Sequence, residues 1–332
     1  MNELQPYNES LSTPEVLRER RVAVVGAGVI GLTTALLAQE AGNRVTIYTD
    51  KKSLETTSSK AAASFKPHEV AYTDLTQKMV ENGWYDFERV EKEEGEKSGV
   101  RKHIHWEAAS APKDIAPYLT VMEDFEIHER PNVPGGYAYG WKYRTFFIDV
   151  PHYLPWLEGR FLANGGELVV LEQKFDNLEQ LAKLPVDVIF NCTGLGARWL
   201  CDDEKVIPIK GQIVVTDPQP DMDWSISANG FYVYPRRNDT VLGGTTEWHV
   251  YDETVENSAI HLLVRGNKPI LPHLDLSRSV RRVYAGLRPY REGEIRVEAE
   301  EIGDKRIIHH YGHGGSGFTL SWGSAREALK LL

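Results

Sequence analysis

Apolar positions along this chain follow two patterns. Near the ends they form short unbroken runs, as strands covered on both faces require. Arg21-Val22-Ala23-Val24-Val25 is the first such run. Gly26-Ala27-Gly28-Val29-Ile30-Gly31 follows at once, then a helical run from Leu32 to Ala41 that Gly42 stops. Arg44 to Thr49 predicts a second strand. A helix is predicted over 74–98, with Leu75, Met79, Trp84, Phe87 and Val90 on or near one face and a charged, solvated stretch from Glu91 to Lys97. Pro151 to Ala163 predicts another helix, capped by Asp149 and stopped by Asn164-Gly165-Gly166. Glu167 to Leu171 and Asp187 to Asn191 read as strands of the first kind.

The second pattern is short and alternating. It fills about 100–150, broken by Pro112, Pro117, Pro131 and Pro134, where Tyr137 to Tyr143 predicts an aromatic strand. It returns over 207–300, where Gly211–Thr216, Phe231–Pro235, Thr240–Gly244 and Ile295–Glu300 predict strands. Arg278 to Tyr290 carries four arginines among apolar residues. Ile307 to Gly312 returns to the first pattern. These runs predict an α/β nucleotide-binding domain assembled from separated pieces, interrupted by a mostly antiparallel second domain.

Two glycine loops carry the candidate chemistry. Strand, G-x-G-x-x-G, helix, strand, and then Asp50, 19 residues past Gly31, form a dinucleotide fingerprint in its proper context. Gly26 and Gly28 allow the turn and the approach of a pyrophosphate, Gly31 lets helix and strand pack, and Asp50 accepts from a ribose hydroxyl. Near the other end, His309-His310-Tyr311-Gly312-His313-Gly314-Gly315-Ser316-Gly317-Phe318 places four glycines in six residues, followed by Gly323 and Ala325. Set between the apolar strand Arg306-Ile307-Ile308 and a helix-forming run from Phe318, the loop predicts an anion site made of backbone N–H groups and a helix dipole. The small, hydroxyl-rich segment 53–68 is expected to cradle a cofactor rather than to serve as a linker.

Composition narrows the class. The chain has 332 residues, 41% of them hydrophobic, which suffices for two domains and a large core. A net charge of −10 without a basic patch argues against nucleic acid. Two cysteines, Cys192 and Cys201, suit a reducing compartment, with Cys192 expected as a small buried side chain. No apolar run reaches the ~18 residues of a membrane span, and the polar first 20 residues, with Glu3, Glu9, Glu15 and Glu19, lack a signal core. Ser12-Thr13-Pro14-Glu15 predicts one short helix start. The final residues are Leu329-Lys330-Leu331-Leu332, not a Ser-Lys-Leu address. A cytoplasmic protein without membrane contact is expected.

The motifs resemble the D-amino acid oxidase family, which includes D-aspartate oxidase, over nearly the whole chain. The resemblance rests on Val25 to Leu32, Asn191-Cys192-Thr193-Gly194, Lys210-Gly211-Gln212-Ile213, Tyr232-Val233-Tyr234-Pro235, Gly286-Leu287-Arg288-Pro289 and His309 to Ala325. It implies a Rossmann-type FAD-binding domain over 21–75, about 160–205 and 300–332, an inserted α+β substrate domain over about 76–159 and 206–299, and an N-terminal extension over 1–20. It implies non-covalent FAD, with Gly26, Gly28 and Gly31 at the pyrophosphate, Asp50 on the ribose, and Lys51 near the phosphates where many members carry arginine. Thr56, Thr57 and Ser58 would bind phosphate oxygens, Ala63 and Ser64 would line the isoalloxazine, and Phe175 would contact adenine. Val29, Ile30, Gly194, Gly314, Ser316, Gly317 and Phe318 complete the implied cofactor shell, with Thr319 at the pyrimidine edge. Tyr232 and Arg288 would hold a substrate carboxylate and the Gly315 carbonyl the amine. The implied partners are a D-amino acid and molecular oxygen; a homodimer is left open. Animal members carry a long lid with a second tyrosine upstream of Tyr232. Trp224 to Asn229 is short and lacks one, so the lid is expected to be missing or reduced. Ser316 stands where some members have tyrosine.

The residue chemistry agrees. A guanidinium matches two carboxylate oxygens at once, and Arg288 lies in apolar company; a structural ion pair is the competing reading. Tyr232 competes with a plain core aromatic, since Phe231 and Tyr234 lie beside it. Backbone donors from Gly315 to Phe318 would meet charge on a reduced flavin. No general base stands out, so hydride loss from an already neutral amine is expected. His309, His310 and His313 are expected to serve packing and backbone hydrogen bonds rather than a metal. The expected activity is oxidation of D-amino acids with neutral or apolar side chains to imino acids, and so to 2-oxo acids and ammonia, with hydrogen peroxide from O₂. The alternatives are D-aspartate, for which Arg236 or Arg237 would supply a second cation, a glycine/sarcosine-type oxidase or dehydrogenase, and a flavin-binding protein without activity.

Overall fold

The computed structural model describes residues 19–219, 221–272 and 279–332. In chain order its main elements are β1 (Arg21–Val25), α1 (Val29–Glu40), β2 (Arg44–Thr49), α2 (Asp74–Glu94), β3 (Val100–Ala109), β4 (Glu123–Glu129) and β5 (Tyr139–Ile148). Then come α3 (Val150–Ala163), β6 (Glu167–Val170), α4 (Leu178–Leu181), β7 (Val188–Asn191), α5 (Ala197–Leu200), β8 (Val206–Thr216), β9 (Trp224–Ala228), β10 (Phe231–Pro235) and β11 (Thr240–Gly243). The rest is β12 (Glu247–Trp248), α6 (Asn257–Asn267), β13 (Val280–Arg291), β14 (Arg296–Ile302), β15 (Lys305–Tyr311) and α7 (Gly317–Leu329). The helix start expected at Ser12 to Glu15, and Arg278, lie outside the described residues.

The unbroken apolar runs form one six-stranded sheet in the order β14-β15-β7-β1-β2-β6, parallel except for the β14–β15 pair. Alternate side chains of β1 explain the continuous run. Val22 and Val24 join the core beneath α1, α2, α3 and α7, while Ala23 and Val25 join a smaller core with Leu181 and Leu200 on the other face. α1 starts at Val29, inside the fingerprint itself and ahead of the expected Leu32.

The alternating runs build a nine-stranded sheet in the order β12-β8-β11-β10-β9-β3-β5-β4, with β13 pairing along the whole of β8. It is antiparallel apart from β3 and β9. The sequence segment Trp224 to Asn229 is spent on β9 and the turn to β10, so it forms no lid.

Two boundaries depart from the sequence reading. Ile295 to Glu300 falls by number in the second domain, but β14 hairpins onto β15 through Gly303-Asp304 and so extends the parallel sheet. Likewise α2 and α3, placed by number in the inserted domain, pack on α7 and α1 over the parallel sheet. Close approach explains Gly323: a β-carbon there would lie 1.9 Å from the Met79 carbonyl oxygen of α2. Buried Asp86 of α2 completes the contact by accepting from Arg326 Nε and Nη2, both at 2.6 Å.

The start of α2 is fixed by Thr73, whose hydroxyl accepts from the Thr76 N–H at 3.3 Å. Thr73→Ala is expected to cost about 1 kcal/mol, the usual value of an N-cap. Denaturant midpoints at unchanged slope would measure it, and an unchanged midpoint would show that the cap is idle.

Candidate active site

The parallel strands deliver their C-terminal ends to one place. Gly26 follows β1, Asp50 follows β2, Cys192 to Gly194 follow β7, and Gly312 to Ser316 follow β15. In an open α/β sheet this is where ligands bind. Here it is one wall of a cavity of about 1020 Å³. That is the top of the ~300–1,000 Å³ range of small-molecule sites. The opposite wall comes from β8, β10 and β13, which bring Gly211, Tyr232 and Arg288.

Both helix N-termini open into this cavity. α1 begins after Gly28 and α7 after Ser316; neither N-cap residue caps its helix with its own side chain, and neither helix has an acid in its first turn. Two uncompensated positive dipole ends suit an anionic ligand. Gly26 is required by its backbone, with φ at 111° and room for no β-carbon, which would lie 2.6 Å from the Cys192 carbonyl oxygen. Gly31 does not line the cavity. Its β-carbon would lie 1.9 Å from the Gly26 carbonyl oxygen, so it packs helix onto turn, as the fingerprint chemistry demands, and does not face a pyrophosphate.

Most of the other expected cofactor residues also line the cavity: Gly28, Val29, Ile30, Asp50, Lys51, Thr56, Thr57, Ser58, Ala63, Ser64, Phe175, Gly194, Gly314, Gly315, Gly317, Phe318 and Thr319. The segment 53–68 therefore folds along the cavity, as a cradle would. Several polar groups there already have protein partners. Ser58 Oγ accepts from the Val29 N–H at 3.0 Å, and Thr56 Oγ donates to the Ser53 carbonyl at 2.7 Å. Asp50 pairs with Lys174 at 3.2 Å. Thr319 Oγ accepts from the Lys66 N–H at 3.0 Å and donates to the Lys66 carbonyl at 2.9 Å. Ser316 is fully buried and does not line the cavity. Its hydroxyl accepts from the His68 N–H and donates to the His68 carbonyl, clipping the 66–69 loop to the glycine turn.

Glycines clear space for the two anchor residues. A β-carbon on Gly211 would lie 2.3 Å from Arg288 Nη2, so the guanidinium rests flat on that strand. A β-carbon on Gly243 would lie 1.9 Å from the Tyr232 ring. Burial pushes the Tyr232 hydroxyl up to about 12, against the pull of the adjacent Arg288, so it remains a protonated donor at working pH. Arg288 Nη1 donates to the Thr245 carbonyl at 3.2 Å and lies 3.3 Å from Glu69 Oε2. The competing reading of Arg288 as an ion-paired residue thus has a partner, yet Arg288 itself lines the cavity, with Glu69 buried beside it.

Sequence reading missed three charged groups at or beside the cavity. Glu69 is one. The others are Lys66 and Glu107, whose Nζ and Oε2 lie 3.1 Å apart, both residues lining the cavity. Arg236 and Arg237, the second cations that the D-aspartate alternative would need, do not line it. Arg236 is held by Asp239 at 2.6 and 3.0 Å, and Arg237 faces Glu96. Burial pushes the Glu107 carboxyl upward, but Lys66, His105 and the hydroxyls of Tyr143 and Tyr118 outweigh it and hold it down to about 2. A depressed folded value means stability that is present above the unfolded value and lost as pH falls toward the folded one. Wild-type stability should therefore fall between about pH 4.5 and pH 2 by up to roughly 3 kcal/mol from this group, at ~1.4 kcal/mol per unit. Glu107→Gln should be less stable at neutral pH but flatter across that window in denaturation curves; an equally steep acid limb would contradict the assignment.

The three histidines are buried and satisfied by side chains rather than by backbone. His310 and His313 both meet Ser324 Oγ, at 2.8 and 2.9 Å, and His309 lies between Asn191 and Glu300. Burial lowers all three, His313 to about 3. Among the described residues no three metal-ligating side chains converge. Burial pushes the Cys192 thiol up to about 12, which makes it an inert small side chain. No helix among the described residues is long and apolar enough to cross a membrane.

The model of one protein family, described as FAD dependent oxidoreductase, matches residues 21–331. The chain belongs to this family. The resemblance read from the motifs is borne out by relatives. The chain is 34% identical over 319 residues to a D-amino-acid oxidase of Dictyostelium discoideum, covering 93% of this chain and 90% of that protein. It is 33% identical over 333 residues to the D-aspartate oxidase of Homo sapiens, covering 94% of each. Among solved structures it is similar to glycine oxidase from Geobacillus kaustophilus, with a TM-score of 0.77, 19% identity and 94% of each chain covered. It is also similar to L-proline dehydrogenase from P. horikoshii, with a TM-score of 0.76, 14% identity and 95% and 93% covered. These two share the fold.

The site fits the family's cofactor. The glycine turns leave the α1 and α7 N-termini open, and the cavity continues from them to Arg288. FAD in this family would lie along Gly26 to Ile30, Asp50 and the 56–64 segment, with Gly315 to Thr319 at its redox end.

Proposed function

We propose that this chain oxidises D-amino acids with neutral or apolar side chains to imino acids, passing the electrons to O₂. One observation carries the reading: a single cavity joins the two open helix N-termini to the Arg288–Tyr232 pair. In this reading the parallel-sheet unit holds the cofactor and the nine-stranded sheet supplies the substrate wall.

Bound FAD would supply the two-electron acceptor and the route to oxygen. Everything else falls to the chain. Arg288 and the Tyr232 hydroxyl bind the carboxylate and fix the substrate's plane. The Gly315 carbonyl accepts from the amine. With three points held and the extra ammonium proton given up to solvent, one hydrogen on Cα faces the redox end and leaves with its electron pair, and the nitrogen lone pair closes the C=N bond. The backbone N–H end of α7, from Gly317 on, meets the negative charge that arrives, since the Gly315 and Ser316 N–H groups already donate to the Glu69 and His313 carbonyls; a comparable donor removed elsewhere costs about 100- to 1000-fold in rate. The imino acid then takes up water, releasing ammonia and a 2-oxo acid. A cytoplasmic setting fits the two free thiols.

The Lys66–Glu107 pair supports the side-chain preference, since it presents a balanced pair rather than a free cation. The same lysine favours a second reading, D-aspartate, should a side-chain carboxylate take it from Glu107. A panel of D-alanine, D-valine, D-phenylalanine and D-aspartate separates the two. Neutral substrates should lead, with peroxide formed in step with their turnover. D-Aspartate ahead by more than about 100-fold, or ~2.7 kcal/mol, would replace the first reading by the second.

A further inference from the structure

Glu69 has no role in the mechanism above, yet its surroundings are built with care. Its backbone is left-handed, with φ at 48°, which is costly for a residue with a β-carbon and is found where the surrounding structure enforces it. The enforcement is local. The Gly315 N–H donates to the Glu69 carbonyl at 3.3 Å, and Gly314 has no room for a β-carbon, which would lie 1.9 Å from that same oxygen. The side chain is about nine-tenths buried. Oε1 accepts from Thr246 Oγ at 2.7 Å and has His68 Nε2 at 3.4 Å. Oε2 is different: it is buried without a hydrogen-bond partner and faces Arg288 Nη1 at 3.3 Å. A β-carbon built on Gly315 would lie 3.4 Å from it. This oxygen therefore stands between the guanidinium that would take a substrate carboxylate and the turn that would take the amine.

Resting on the reading given under Proposed function, we propose that the substrate enters as a zwitterion between Arg288 and Glu69, its carboxylate replacing Glu69 on the guanidinium and its ammonium being received by Glu69 Oε2. The electrostatic logic is an exchange of partners. Before binding, the two buried charges satisfy each other. After insertion each faces the opposite charge of the ligand, so neither is stranded, and a stranded buried charge is the costly outcome. A carboxylate that brings no ammonium lacks this property. On Arg288 it displaces Glu69 and leaves two carboxylates side by side. Glu69 thus makes the site select α-amino acids over plain carboxylic acids of the same shape. Glu69 would then touch the substrate, as a binding residue on the amine side.

The test uses D-alanine and propionate, which is the same molecule without its amine. Calorimetry gives propionate affinity for the flavin-loaded protein, and steady-state kinetics give kcat/KM for D-alanine. In Glu69→Gln, propionate should bind at least about tenfold tighter and D-alanine should lose at least about tenfold in kcat/KM, the loss lying mainly in KM. Glu69→Asp keeps the charge but withdraws it by one methylene. It should shift both quantities in the same directions by less, and serves if the amide variant does not fold. Opposite signs for the two ligands support the proposal. Weakening of both would reduce Glu69 to a structural support, tightening of both would make it a mere competitor for Arg288, and no change in either would dismiss it. If the wild-type flavin stays oxidised with every D-amino acid, the reaction itself has been misassigned, a failure seen before Glu69 is varied.

Discussion

Arg288→Ala is expected to keep its flavin and lose about 100- to 10,000-fold in kcat/KM toward D-alanine. The estimate follows from two charge-assisted hydrogen bonds to a carboxylate, each worth about 1.5–3 kcal/mol, with a tenfold change per ~1.4 kcal/mol. The guanidinium lies on Gly211 of β8 and donates to the Thr245 carbonyl, so its removal vacates the substrate wall without touching the glycine turns of the other sheet. Glu69 then loses its cationic partner as well, which adds to the penalty. Arg288→Lys should recover only part, because a point charge cannot reproduce the fork. Flavin content, read by absorbance after denaturation, separates a binding defect from a folding one. Unchanged catalytic efficiency in Arg288→Ala would remove the carboxylate anchor from the account.

Gly31→Ala should fail earlier, at the fold and the cofactor. Its β-carbon would sit 1.9 Å from the Gly26 carbonyl oxygen, with the Val24 side chain at 3.4 Å. Neither the turn nor the buried strand can yield cheaply, so the cost should reach or exceed the ~3 kcal/mol at the top of the overpacking range. The displaced α1 N-terminus would also lose its aim at the cavity. The purified variant should hold little flavin and melt several degrees lower. By contrast, a β-carbon on Gly28 meets only Ser58 Oγ, at 3.1 Å, and Gly28→Ala should keep more of both properties. Full flavin occupancy and an unchanged melting point in Gly31→Ala would show that the turn is not as tight as it stands here.

What the sequence revealed and what it hid follow from range. β1, α1, β2, β7 and β15 are legible because each is a local apolar run ended by glycine or a polar residue. Of the second sheet, β5, β8, β10 and β11 are legible as strands, whereas β3, β4, β9, β12 and β13 are not marked out, and its order is hidden, since β3 pairs β9 and β8 pairs β13 across long stretches of chain. The place of β14 is readable after all: Gly303-Asp304 between Ile302 and Lys305 is a hairpin signal that ties it to β15. Arg236 carried a similar signal in Asp239, three residues on, which holds it at a turn. Glu69, Lys66 and Glu107 carried none. Each is one polar residue in a loop or an alternating strand, and its meaning comes only from partners brought by other elements.

The measurement that tests the central claim most directly is anaerobic mixing of the purified, flavin-loaded protein with D-alanine or L-alanine, followed by admission of air. Arg288 and Tyr232 on one wall, with Gly315 at the redox end across from them, should present one face of Cα only. D-Alanine should bleach the flavin absorbance, air should restore it with release of hydrogen peroxide, and L-alanine should leave it unchanged. Equal bleaching by both isomers, or none by D-alanine, would contradict the account.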